Sequence, residues 1–259
     1  MSLARVLAIA ANVFREVIRD RVLYLIALYA LGLMLLAALL PQVAANTQDK
    51  ILLDVGLGAI AILGVAAAIF IGTSVITNEI TKRTIYLLMA KPVSPADLVV
   101  GKHLGLTAVL SVLVGAMTLI YLLQLTLSEI SYPLGSLLFA VSYTVLELSL
   151  VAAIAILVSL ITGPLLAVLI TLAVYLIGQL SPDLIALSQI ADSPAMGRIT
   201  DALYLVLPDL SRLNWRNQAV YGTELLPDPT ASAGHALYGL LYIMLLLAIA
   251  STILGRREL

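Results

Sequence analysis

The 259-residue chain contains no cysteine. A disulfide framework, a cysteine-based zinc site and thiol catalysis are therefore excluded. Charge is scarce as well: 14 Lys and Arg against 15 Asp and Glu, 11% of the chain, where soluble domains carry about 25%. So few charges cannot cover the surface of a soluble domain this long. That argues against a soluble enzyme, a nucleic-acid binder and a disordered protein. Catalytic signatures are missing too. There is no G-x-x-x-x-G-K-[ST]; Gly101-Lys102 lacks the upstream glycine and is followed by His103. H-E-x-x-H and G-x-S-x-G do not occur either, so neither a P-loop nor a zinc or serine hydrolase has support.

What the chain has in abundance is apolar sequence: 62% hydrophobic residues and a mean hydropathy of +1.10. A helix crossing a bilayer needs about 20 apolar residues for a core about 30 Å thick. Long gaps between charges supply spans at 22–40, 55–77, 104–125 and 236–255. From Leu148 to Pro182 no charge occurs. One helix of that length would run about 52 Å at about 1.5 Å per residue. Thr162-Gly163-Pro164 is the natural break, because glycine loosens the backbone and proline lacks a donor. Spans at 134–162 and 164–181 follow. The expected architecture is an all-α membrane domain over 1–259 with six transmembrane helices.

Residues 3–21 are different. At 100° per residue, Arg5, Asn12, Arg15, Glu16, Arg19 and Asp20 share one sector, with apolar residues opposite. This describes a helix lying in the interface plane; a plain cytoplasmic extension of the first span is the alternative. No early basic cluster precedes a short apolar core, so a cleavable signal peptide is not expected.

Lysine and arginine bias sets orientation. With the N-terminus inside, ten basic residues lie inside and four outside, and formal charge divides into +5 inside and −5 outside. Both termini are then cytoplasmic, in a plasma (inner) membrane.

Two connections carry most of the remaining polarity. The cytoplasmic one, 78–102, reads as a short amphipathic helix to about Ala90, a stop at Lys91-Pro92, and a new start at Ser94-Pro95-Ala96-Asp97 with Ser94 as N-cap and Asp97 reaching back. It is too short for an enzyme domain and suited to pass on motion from something docked beneath the membrane. The extracytoplasmic one, 182–234, reads as a helix from Pro194 to Pro208, then a stretch in which Arg212, Trp215 and Arg216 suit the headgroup level. It would form a cap packed on, or dipping into, the outer leaflet.

Glu147 is the one ionisable residue deep in a span. A charge there costs about 2.5–3.5 kcal/mol on insertion scales. Glu147 must face protein or water, or be protonated. It is either a polar contact in a substrate path or subunit interface, or a protonated helix–helix contact.

Glu79…Thr84-Ile85…Leu87-Leu88…Lys91-Pro92-Val93-Ser94…Gly101-Lys102 is similar to the pattern of the permease subunits of ABC type-2 exporters, especially the group of multicopper-enzyme maturation permeases. Arg83 stands where many members have glycine, and Pro95 where many have arginine. The resemblance covers nearly the whole chain, including Leu207-Pro208…Leu213-Asn214…Tyr221-Gly222. It implies an elbow helix at 2–21 that includes Arg15 and Arg19. It also implies an ATPase-coupling loop carrying Glu79, Lys82, Arg83, Thr84, Leu87, Leu88, Lys91, Pro92 and Ser94. The partners it implies are two ATP-binding-cassette ATPase subunits and a second permease copy or paralogue, beside membrane lipid and without nucleic acid. ATP and Mg would sit in the partner, with no cofactor or metal in this chain and no enzymatic activity of its own. A secondary transporter and a non-transporting assembly or scaffold protein are the alternatives.

Overall fold

The computed structural model describes residues 2–18, 22–43, 47–81, 94–190 and 207–256, and among these every regular element is helical. In chain order the α-helices are α1 (Leu3–Val17), α2 (Leu23–Val43), α3 (Gln48–Thr81), α4 (Pro95–Leu127), α5 (Leu134–Ser159), α6 (Pro164–Gln179), α7 (Ser181–Ile190), the single turn α8 (Arg216–Ala219) and α9 (Pro229–Arg256), with short 3-10 turns at Leu210–Leu213 and Thr223–Leu225. Five of them, α2, α3, α4, α5 and α9, are long and apolar enough to cross a membrane. The molecule is a multi-pass membrane protein. In a bilayer core every backbone polar group must be satisfied internally, which long helices achieve.

The remaining expected span behaves differently. α6 has only 16 residues, about 24 Å at about 1.5 Å per residue, short of the about 30 Å hydrocarbon core. It opens at Pro164, with Gly163 extended at φ −73° and ψ 166° as its cap. Proline is tolerated there because the first helical N–H has no partner to lose. The same corner ends α5 at Ser159, so residues 160–162 form a turn instead of continuing the expected span.

α5 is the axis of the bundle. Every residue from Leu148 to Ile156 is buried, and a helix apolar all round must be surrounded by protein or lipid on all sides. α3 runs past α4 and α5 through three glycines spaced eight apart. A Cβ on Gly56 would fall 2.3 Å from the Tyr121 ring, on Gly64 2.6 Å from Leu148, and on Gly72 2.9 Å from Ala155. Small residues let helix backbones approach closely where no hydrophobic effect drives them together. Tyr121, fully buried, fills the space beside Gly56 and donates its hydroxyl to the Leu53 carbonyl at 2.9 Å. α2 is peripheral, with Leu28, Leu31, Met34, Leu35 and Leu39 all more than half exposed.

Candidate functional site

Two polar regions stand out within the bundle. The first is where α4 begins. Ser94 is the N-cap: its side-chain oxygen accepts from the Asp97 N–H at 3.1 Å, and Pro95 opens the helix. This satisfies one of the orphan donors of a helix start. The Asp97 carboxylate reaches back to Ser94, as expected of a capping box. It also accepts from the Ser2 backbone N–H at 3.3 Å, fixing the start of α1 to the start of α4.

α1 then lies along α4. Val6, Val13 and Val17 are buried and Arg15 is exposed. The contact is made by Gly101 and Gly105, one turn apart. A Cβ on Gly101 would meet Ile9 at 2.8 Å, and one on Gly105 would meet the Ala10 carbonyl oxygen at 2.6 Å. Lys102, between them, is buried to 1% exposure, and its ammonium donates to the Val75 carbonyl of α3 at 2.8 Å. His103 is buried as well, 3.0 Å from the Ser149 carbonyl of α5. Lys102, expected as a cytoplasmic loop charge, is thus an interior residue binding α4 to α3. Of the expected coupling residues, Ser94 is placed as above. Glu79 lies in the last turn of α3. Lys82, Arg83, Thr84, Leu87, Leu88, Lys91 and Pro92 lie outside the described residues, as does Arg19 of the N-terminal helix.

The second region surrounds Glu147, which is fully buried midway along α5. Its Oε2 accepts from the Arg216 guanidinium at 3.2 Å. Its Oε1 accepts from the Gln179 amide at the end of α6. Gln179 Oε1 in turn accepts from Asn214 Nδ2 at 3.1 Å, and Asn214 Oδ1 accepts from the Arg216 backbone N–H at 3.4 Å. Four residues from three segments close a ring. A buried carboxylate is tolerable when paired and hydrogen-bonded on both oxygens, and Glu147 meets both conditions. The helical neighbours Tyr143 and Thr144 turn elsewhere, to the carbonyls of Ser232 and Ala140.

The segment after residue 206 is what brings Arg216 to this depth. It threads between helices: a Cβ on Gly178 of α6 would stand 2.7 Å from the Pro208 carbonyl oxygen. Leu210 and Leu213 are fully buried, and Ser136 of α5 donates to the Ala219 carbonyl at 2.6 Å. Arg212 pairs with Asp209 at 3.0 Å and stacks over Tyr238 of α9, 5.1 Å to the ring centroid. Trp215 donates its indole N–H to the Arg212 carbonyl at 3.0 Å and faces His235 at 5.6 Å. The three expected cap residues therefore share one segment. Only Arg216 reaches the expected intramembrane carboxylate. Sequence reasoning named both ends of that pair without joining them, since 69 residues separate them.

Among the described residues no cluster of His, Asp or Glu could hold a metal ion. The arrangement is one of helices tied by buried polar contacts within a multi-pass membrane protein. The profile of the ABC-2 family transporter protein matches residues 7–259, and the chain belongs to that family. Its members are membrane subunits of ABC transporters, which normally work with ABC ATPase partners. No curated protein sequence matches the chain.

Proposed function

We propose that the chain is the permease subunit of an ATP-binding-cassette exporter. In this reading two permease copies, or one and a paralogue, pair with two separate ATPase subunits that bind ATP and Mg. Six crossings, with α6 as the fifth and both termini cytoplasmic, satisfy the charge bias of +5 inside and −5 outside. Residues 79–94 of the cytoplasmic connection receive the ATPases. Glu79, Lys82 and Arg83 make polar contacts, Leu87 and Leu88 pack into the ATPase surface, and Pro92 and Pro95 stiffen the corner. The work goes to export of a substrate or to force on an extracytoplasmic partner.

The observation that carries the reading is the family match over 7–259, in a chain without a phosphate-binding loop. The fold adds a mechanical argument. Ser94 caps α4 directly after the proposed docking loop, Asp97 holds Ser2, and Gly101 and Gly105 seat α1. A push on the loop would move α1 and α4 as one body. Midway along α5, the Glu147–Arg216 ring joins α5, α6 and the cap. It gives an outer gate one buried contact to break or keep.

The test is co-purification with a nucleotide-binding subunit and stimulation of its ATPase. The paired reversals Glu79→Lys and Arg83→Glu should abolish both. Unchanged association and stimulation would refute the coupling assignment, and transport that persists after ATP depletion would favour a secondary transporter.

A further inference from the structure

α2 and α3 do not pack tightly along their length. A cavity of about 300 Å³ lies between them, walled by Leu28, Gly32, Leu36, Ala59, Ile62 and Leu63 among others. Its surface is almost wholly carbon, because the one hydroxyl in the wall, that of Tyr29, is donated to the Gly56 carbonyl at 3.3 Å. A second cavity, of about 250 Å³, continues the same seam toward the α2–α3 turn. There the wall changes character. Leu40, Pro41 and Leu52 are joined by Gln48, Asp49 and Ser128. Gln48, Asp49 and Ser128 are all exposed.

We infer that this seam is a binding site for one membrane phospholipid with a protonated amine headgroup, its acyl chain between α2 and α3 and its ammonium against Asp49. Three observations fit that occupant. The wall is apolar along the seam and polar only at one end, as one leaflet's lipid is. From Leu28 to Pro41 the seam is about 20 Å long at about 1.5 Å per residue. That covers the roughly 15 Å half-thickness of a hydrocarbon core about 30 Å thick and leaves room for a headgroup. The charge at the mouth is negative: Asp49 lines it, and Glu129 follows the lining residue Ser128. Lys50, next to Asp49 in sequence, is turned onto the Tyr221 ring, 5.9 Å from its centroid. An anionic headgroup would meet like charge here, and an ammonium finds a counter-ion. A third cavity, beside Tyr24 and Phe70 at the other end of the seam, is lined almost wholly by carbon among the described residues.

Gly32 supplies the test, since a side chain there would enter open space. Gly32→Phe should plug the seam without disturbing the helices. Gly115→Phe, on α4 and equally open, is the control. The full chain would be reconstituted in vesicles of phosphatidylethanolamine and phosphatidylglycerol, with a trace of phosphatidylethanolamine carrying a photoreactive acyl chain. Adducts should map to 28–36 and 55–63. Gly32→Phe should reduce them at least fivefold and Gly115→Phe should leave them. Asp49→Lys should shift capture at least fivefold toward a photoreactive phosphatidylglycerol. Equal capture of both lipids by the unaltered chain, or adducts scattered over the surface, would overturn the inference. So would a Gly32→Phe protein that keeps its adducts. If Gly32→Phe instead converts a dimer to a monomer, the seam is covered by a second copy and the inference also fails. Should Gly32→Phe not fold, the adduct map and the Asp49→Lys shift still decide. None of these readouts uses an ATPase, so the lipid site and the exporter reading can fail separately.

Discussion

Glu147 and Arg216 form a buried ion pair at 3.2 Å between the middle of α5 and the single turn α8, with the glutamate side chain fully buried and the arginine side chain 10% exposed. Removing one partner leaves an uncompensated buried charge, which typically costs about 3–5 kcal/mol. Arg216→Met and Glu147→Leu should each lower thermal stability in detergent by an amount in that range. Replacing a whole buried pair with apolar groups is often neutral. The double variant Glu147→Leu, Arg216→Met should therefore recover most of the loss. Differential scanning fluorimetry of the four proteins gives the double-mutant cycle.

The double variant also separates packing from gating. If the ring is the contact an outer gate keeps or breaks, the double variant should regain stability while remaining deficient in substrate movement or partner release. Full recovery of both would make the ring a packing element only.

Gly105 predicts the consequence of loosening α1. A Cβ there would sit 2.6 Å from the Ala10 carbonyl oxygen, a backbone atom that cannot swing aside. Overpacking of this kind costs about 1–3 kcal/mol. Gly105→Leu should displace α1 from α4. The chain has no cysteine of its own, so spin labels on cysteines introduced at Arg15 and Leu104 report on that distance alone. The separation should lengthen and broaden in Gly105→Leu and stay sharp in the parent.

Ser94→Ala removes the cap of α4. Loss of a serine N-cap costs about 1 kcal/mol. The expected result is a small fall in thermal stability, with faster hydrogen exchange confined to the first turn of α4.

The apolar runs and the two prolines that open α4 and α6 made most helices legible in the sequence, because hydrophobic length and a missing N–H are local properties. The cap at Ser94 and the return of Asp97 to it were legible for the same reason. The contact of Asp97 with Ser2 was not, since 95 residues separate them. The eight-residue glycine spacing on α3 and the pair Gly101 and Gly105 were visible as letters. Their meaning depends on which helix passes alongside, and no local pattern encodes that. Lys102 looked like an interfacial charge until α3 was placed against it. The break at Gly163-Pro164 was legible as well, while the packing of the Pro208 segment against Gly178 of α6 was not, because the two are 30 residues apart in sequence.

The central claim is that this ABC-2 family chain turns a partner's ATP hydrolysis into movement through residues 79–94 and the α1–α4 body. The most direct measurement is the ATPase rate of the cognate nucleotide-binding subunit reconstituted with the permease in lipid. Three permeases are compared: unaltered, Glu79→Lys with Arg83→Glu, and Gly105→Leu. The expected result is stimulation by the unaltered chain, loss of binding and stimulation in the charge reversal, and binding without stimulation in Gly105→Leu. Equal rates with all three, or no association with any nucleotide-binding subunit, would contradict it.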